Sequence, residues 1–112
     1  MVRIQEEVSP IDIYDIDIMP EAQRGFSAIA RPNQRVISYA IDELASDPRP
    51  ANSEPLPNAE NLRRLAVGDY RVIYGITESK KTVVVELIRH KSIVFTAIAA
   101  LALAVRDKHF SP

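Results

Sequence analysis

The sequence predicts an α+β domain in which a small, antiparallel-rich β-sheet packs against an N-terminal helical hairpin and is followed by a C-terminal helix. Two observations predict this class. Residues 62–95 carry strand-forming residues around two turn signals. Residues 20–44 and 96–106 place apolar residues at helical spacing. The predicted order is β-α-α-β-β-β-α, and at 112 residues the chain (1–112) is expected to form a single domain.

The N-terminal half is predicted to contain a loose arm over residues 1–10, one strand and two helices. The strand over residues 13–18 puts Tyr14, Ile16 and Ile18 on one face. Pro20 begins a helix, because proline is tolerated in a first helical turn, and Arg31-Pro32 ends it. The second helix carries an apolar stripe formed by Val36, Ile37, Ala40, Ile41 and Leu44. The proline-rich stretch that follows, to about residue 57, is predicted to be a surface connection.

Gly68-Asp69 predicts a two-residue hairpin turn between the first two strands of the C-terminal half. Such a turn pairs Val67 with Tyr70 and places Arg64 and Arg71 as diagonal neighbours on one face. Diagonal neighbours lie about 7–8 Å apart, so two guanidinium groups there can hold one shared anion. The opposite, mostly apolar face is expected to cover the helical hairpin.

The third strand can meet these arginines in two ways. An uninterrupted strand puts Glu86 and His90 on the arginine face, where Glu86 could neutralise the arginines in a structural ion-pair cluster. A β-bulge in that strand brings Arg89 and Lys91 to the face instead. The sequence leaves both arrangements open.

Positive charge is concentrated in the predicted sheet. Residues 1–60 contain 5 basic and 11 acidic residues, whereas residues 61–91 contain 7 basic and 3 acidic residues. A local cationic patch on a chain of net charge −1 suits one phosphate-rich ligand better than the coating of a long nucleic acid. Lys80 and Lys81 lie in the second turn, where they can equally be solvated.

Several classes of site and location are excluded or disfavoured. There is no cysteine, so disulfides and thiolate metal sites are impossible, and the two histidines are far apart in the sequence. We expect neither metal nor cofactor. The N-terminus lacks the apolar stretch of a signal peptide, and the apolar run 97–105 is too short to span a bilayer. The predicted location is the cytoplasm, without membrane contact.

Four pieces of the sequence together resemble the RelE/ParE superfamily of toxins from type II toxin–antitoxin systems. They are YDIDIMPEAQRGF, LASDPRP, LRRLAVGDYRVIY and HKSIVF, which span roughly residues 12–95 in the order and spacing of that family. The resemblance implies a growth-inhibiting toxin neutralised by a cognate antitoxin. RelE-like members are mRNA endoribonucleases, or mRNA interferases, that act on the ribosome and inhibit translation, whereas ParE-like members inhibit DNA gyrase.

The resemblance to RelE-like toxins implies metal-independent RNA cleavage by 2′-hydroxyl attack. Arg64 and Arg71 match basic residues that would clamp the scissile phosphate, and Lys91 or Arg89 matches the basic residue near the end of the last strand. His90 could supply acid–base chemistry, since its unperturbed pKa lies near 6.5. The complete prediction is a catalytic set of Arg64, Arg71, His90 and Lys91, with a substrate-binding set of Arg63, Arg89, Lys80 and Lys81.

Two residues within the same stretch depart from the RelE-like pattern and weaken the prediction of RNA cleavage. Phe95 stands where many RelE-like toxins have a tyrosine, and Ala66 stands where a further arginine is frequent. The alternatives are therefore a ParE-like gyrase inhibitor, or a catalytically degenerate toxin that only binds its antitoxin. A homodimer or a toxin–antitoxin hetero-oligomer is expected. The apolar surface around Ile98, Leu101 and Val105 is either an antitoxin contact or part of the core.

Overall fold

The computed structural model describes residues 13–57, 59 and 61–101. A helical hairpin follows the first strand, and a further helix follows the last. The strands are β1 (Asp15–Ile18), β2 (Ser53–Pro55), β3 (Leu62–Val67), β4 (Tyr70–Thr77) and β5 (Thr82–His90). The helices are α1 (Pro20–Ser27), α2 (Arg31–Glu43) and α3, which covers residues 94–101.

The five strands form one sheet in the order β1-β5-β4-β3-β2. β1 runs parallel to β5, and every other neighbouring pair is antiparallel. The parallel pair is possible because the helical hairpin carries the chain away from β1 before the antiparallel strands begin. This architecture confirms the predicted α+β class with an antiparallel-rich sheet.

The main core lies between the sheet and the helical hairpin. On the sheet it contains alternate residues of the strands, because side chains of a strand point to opposite faces in turn. On the helices it contains positions that share one face of the amphipathic pattern. Its buried members include Tyr14, Ala22, Ile37, Ile41, Leu44, Leu65, Val67, Val72, Tyr74, Val83, Val85 and Ile88.

A second, smaller core lies on the other face of the sheet, under α3. Ile73 and Leu87 from neighbouring strands are buried there with Leu56 and Val94. Ala97, Ile98 and Leu101 of α3 pack against this cluster. The described apolar residues of this helix therefore pack on the sheet but stay partly exposed, and Val105 lies outside the described residues. The helix covers one part of this sheet face and leaves the rest open.

Three predictions about individual elements were wrong. The proline-rich connection contains the edge strand β2, where Pro55 is tolerated because an edge strand need not donate every N–H to a neighbour. α1 ends earlier than predicted, and Arg31-Pro32 begins α2, since proline fits the first turn of a helix. Val36 is 58% exposed and does not join the buried stripe of α2. The predicted arm over residues 1–10 lies outside the described residues.

Candidate active site

The hairpin of β3 and β4 positions the two central arginines as the turn chemistry predicted. Gly68 adopts φ = 59° in the turn, a left-handed conformation that glycine takes without the steric cost of a side chain. Val67 then pairs with Tyr70, Ala66 with Arg71 and Arg64 with Ile73. Arg64 and Arg71 consequently share the sheet face opposite the helical hairpin.

A β-bulge in β5 decides between the two open arrangements of the third strand. Ile73 pairs with Leu87, whereas the next residue, Tyr74, pairs with Val85, so Glu86 is the extra residue of β5. The side-chain alternation shifts by one at this point. Leu87 therefore joins the arginine face, and Lys91 lines the same cavity as the arginines.

The open part of this sheet face forms a cavity of about 410 Å³. It lies between β2, the β3–β4 hairpin and the beginning of α3. Three cationic residues, one carboxylate and one aromatic ring contribute to its wall. The lining residues that carry these groups are Glu54, Arg64, Arg71, Lys91 and Phe95.

Arg71 is the cation of the cavity that is best placed to receive an anion. Its Nη1 donates hydrogen bonds to the carbonyl oxygens of Gly68, at 2.9 Å, and Tyr70, at 2.8 Å. These neutral acceptors orient the guanidinium without cancelling its charge. Within the described part of the chain, no carboxylate forms an ion pair with Arg71. An incoming phosphate would therefore meet an uncompensated, pre-oriented guanidinium.

The other two cations are partly compensated by acidic neighbours. Arg64 donates to the carboxylate of Glu54, its direct partner in the β2–β3 pairing. Lys91 Nζ lies 3.5 Å from a carboxylate oxygen of Asp69 in the hairpin turn. Because these ion pairs are exposed to solvent, they are weak and can rearrange around a ligand.

Glu54 and Phe95 line the cavity, although neither was among the predicted site residues. The Glu54 side chain is 59% exposed, and Phe95 is 70% exposed. Glu54 was missed because β2 was predicted to be a connection, and its position between two prolines offered no strand pattern. Phe95 was noted only for its missing hydroxyl group, although an exposed aromatic ring beside cations is typical of a surface that stacks on bases.

His90 does not lie with the arginines. The bulge places it on the helix-covered face, where its ring packs edge-on against Tyr70 with the ring centroids 5.4 Å apart. Its Nδ1 accepts a hydrogen bond of 3.1 Å from the Ser92 backbone N–H and lies 2.9 Å from Ser92 Oγ. The imidazole is thus held by local contacts outside the cavity.

The predicted substrate-binding residues are also dispersed. Arg63 precedes Arg64 and points to the other face, where its guanidinium binds Ser53 Oγ. The guanidinium of Arg89 binds Glu21 on α1. Lys80 and Lys81 follow the far end of β4, which is about 20 Å from Arg71 at the usual rise per residue.

Lys81 belongs to a polar cluster around Glu78 at that far end. The Glu78 carboxylate accepts hydrogen bonds from Tyr14 Oη, at 2.8 Å, and Arg49 Nη2, at 2.9 Å. These two hydrogen bonds, the one from Tyr14 foremost, hold the pKa of Glu78 below its ordinary value. Lys81 Nζ lies 5.3 Å from the ring centroid of Tyr14. The cluster ties β1, the α2–β2 connection and the β4–β5 turn together.

Among the described residues, no group of three or more His, Asp or Glu side chains is arranged to hold a metal ion. No helix in the part of the chain that the structure describes has the length and apolar character to cross a membrane. The residues that line the cavity include guanidinium, ammonium, carboxylate, amide, hydroxyl and aromatic side chains.

Residues 16–95 match the family model described as the ParE toxin of the type II toxin–antitoxin system parDE. The chain belongs to this family, and it is a toxin of a type II toxin–antitoxin system within the RelE/ParE superfamily. The curated proteins gave no match.

Solved structures of RelE toxins share the fold. The archaeal RelE–RelB complex of Pyrococcus horikoshii matches with a TM-score of 0.64 and 21% identity, over 70% of this chain and 96% of that chain. The RelBE2 toxin–antitoxin complex of Mycobacterium tuberculosis matches with a TM-score of 0.64 and 22% identity, over 71% and 93%. The isolated RelE toxin of E. coli matches with a TM-score of 0.62 and 15% identity, over 79% and 98%.

Proposed function

We propose that this toxin inhibits translation by cleaving mRNA at the cavity lined by Arg64, Arg71 and Lys91. The observation that carries the proposal is the convergence of these three cations on one open sheet face, beside the exposed ring of Phe95. Phosphate suits the cations, and an unstacked base suits the ring. Single-stranded RNA offers both groups within one nucleotide.

The reaction class that fits these groups is attack of a ribose 2′-hydroxyl on the adjacent phosphorus atom. A 2′-O–P bond forms and the bond to the 5′-oxygen breaks, which leaves a 2′,3′-cyclic phosphate and a 5′-hydroxyl. The Arg71 guanidinium would stabilise the extra negative charge of the pentacoordinate state. Glu54 is the carboxylate on the cavity wall that could take the 2′-hydroxyl proton, and Lys91 could protonate the leaving oxygen.

A translation reaction with purified components tests this function. Cleavage of the translated mRNA is mapped by primer extension after addition of the wild-type toxin, Arg71→Ala or Arg63→Ala. We expect Arg71→Ala to slow cleavage by about 10²–10³-fold, the usual cost of removing one donor that stabilises a transition-state charge. Arg63→Ala should cleave as the wild type, because its guanidinium lies on the other sheet face. Equal cleavage by wild type and Arg71→Ala would refute the proposal.

Gyrase inhibition is the second candidate, and two observations favour it. The matching family model is that of the ParE toxin, and the cavity contains neither an imidazole nor a tyrosine hydroxyl among its lining residues. Supercoiling of relaxed plasmid by purified gyrase measures this activity directly. Inhibition of supercoiling by the wild-type toxin, with mRNA left intact, would replace the first candidate by the second.

The partner proposed for either activity is a cognate antitoxin. Two of the structures named above contain a RelE toxin together with its antitoxin. Co-expression of this chain with the product of the neighbouring gene, followed by co-purification, tests the pairing. The same preparation, analysed by light scattering, gives the stoichiometry of the complex.

A further inference from the structure

The register of β5 places Arg89 on the same sheet face as the cavity, but the guanidinium of Arg89 lies outside the cavity. Arg89 pairs directly with Arg71 in the β4–β5 register. Leu87, two residues before it, is buried on the cavity face, and Lys91, two residues after it, lines the cavity. The Arg89 Cβ therefore belongs to the same face as Arg71. Nevertheless, Arg89 is not among the residues that line the cavity.

The Arg89 side chain instead folds around the edge of β5. β1 pairs only with Thr82–Val85, so the following residues of β5 have α1 beside them. There Arg89 Nη2 donates to the Glu21 carboxylate, and Nη1 donates to the Ile88 carbonyl oxygen at 2.9 Å. Gly25 leaves the space for this arrangement, since a Cβ at that position would lie 2.2 Å from Arg89 Nη1. The side chain is only 18% exposed.

Like charges explain why the guanidinium of Arg89 turns away from that of Arg71. Direct cross-strand neighbours of the same charge repel each other. With no anion between them, the guanidinium groups of Arg71 and Arg89 are more stable apart. An RNA phosphate bound by Arg71 reverses the balance, because two guanidinium groups can then share one negatively charged phosphate.

Glu21 can release Arg89 at a small cost in free energy. One of its carboxylate oxygens binds Arg89 and the other binds Arg24. When Arg89 leaves, the carboxylate keeps Arg24 and remains exposed to water. No buried charge is left without compensation by the exchange.

We propose that Glu21 is a latch that holds Arg89 away from the cavity until RNA binds, whereupon Arg89 moves to the phosphate beside Arg71. Glu21 is thus a positioning residue, and it controls how many guanidinium groups reach the substrate. This inference rests on the proposed RNA-cleaving function and adds a conformational step to it.

The test measures binding of a short single-stranded RNA with 2′-O-methyl riboses, which cannot be cleaved, over a series of salt concentrations. The variant Glu21→Gln should bind about 2–5-fold more tightly than wild type, which corresponds to the loss of one partly exposed ion pair in the free protein. The gain should vanish in Glu21→Gln/Arg89→Gln. Arg89→Gln alone should reduce the slope of log K against log salt by about 0.7, the value for one phosphate contact to a single strand.

Arg24→Gln is the matched control, because it removes the other ion pair of Glu21 without freeing Arg89, and it should not tighten binding. Thermal melting of each variant confirms that it is folded. Unchanged or weaker binding by Glu21→Gln, or an unchanged salt slope for Arg89→Gln, would mean that Arg89 only clamps α1 to β5.

Arg71→Gln separates the two proposals. If it weakens binding while Glu21→Gln changes nothing, the latch alone is wrong; if it binds as wild type, both are wrong.

Discussion

Arg71 and Lys91 line one cavity although uninterrupted strand pairing would put them on opposite faces of the sheet. The extra residue in β5, Glu86, shifts the alternation and turns Lys91 toward the arginines. The same shift turns His90 away from them. The bulge therefore places an ammonium group, and not an imidazole, at the site.

The exposed ring of Phe95 is predicted to stack on an RNA base. Phe95→Ala should weaken binding of the non-cleavable RNA by about 1–3 kcal/mol, the usual value for one base–aromatic stack. Ile93→Ala is the control, because Ile93 is also exposed near the beginning of α3 but does not line the cavity. Phe95→Tyr keeps the ring and should bind as wild type. Equal affinities for Phe95→Ala and wild type would remove base stacking from the mechanism.

His90 is predicted to be dispensable for RNA cleavage. Its ring packs against Tyr70 on the helix-covered face, so replacement by Gln should leave the rate within about 2-fold and the pH profile unchanged. Single-turnover cleavage measured from pH 5 to 8 checks this. A cleavage rate that falls well beyond 2-fold in His90→Gln would show that the imidazole takes part in the reaction.

Gly25 is predicted to be required for the packing of α1 against β5. A Cβ there would lie 2.2 Å from the Ile88 carbonyl oxygen, a backbone atom that cannot rotate away. Gly25→Ala should therefore lower the free energy of unfolding by about 1–3 kcal/mol. Helix propensity alone would raise it by about 1 kcal/mol, so the sign of the change distinguishes the two effects. Urea denaturation measures it, with Ser27→Ala on the exposed side of the same helix as control.

The cluster around Glu78 predicts a pH dependence of stability. The pKa of Glu78 is lowered in the folded state by the hydrogen bond from Tyr14 and by Arg49. A lowered pKa contributes stability above the unfolded-state value, about 4.3, and the contribution is lost as pH falls through the folded-state value. The difference in melting temperature between wild type and Glu78→Gln should therefore shrink as pH falls from neutral to acidic. A difference in melting temperature that stays constant over this range would contradict this role.

The sequence predicted those parts of the fold that depend on local patterns. The pairing of β3 with β4 was correct to the residue, because Gly68 determines the turn and the turn determines the register. Burial of Ile37, Ile41 and Leu44 followed from helical spacing. The edge strand β2 was missed because a strand of three residues, one of them proline, has no pattern of its own.

The site was predictable only in part, because it depends on a bulge that the sequence does not specify. Leu87 and Ile88 are both apolar, so either can face the main core, and the pattern fits a bulged strand as well as a regular one. Arg64 and Arg71 lie in β3 and β4, whose pairing the bulge in β5 does not change. The sequence therefore placed them correctly on one face of the sheet. The direction of the Arg89 side chain depends on Glu21, more than sixty residues earlier, and no local pattern contains that contact.

Pulse labelling of growing cells is the most direct test of the central claim that the cavity acts on mRNA. Incorporation of labelled methionine and labelled thymidine is followed after induction of wild-type toxin, Arg71→Ala or Arg63→Ala in the absence of antitoxin. The cavity mechanism predicts that wild type and Arg63→Ala stop methionine incorporation first, and that Arg71→Ala stops neither. Thymidine incorporation stopping first, or Arg71→Ala acting as strongly as wild type, would contradict it.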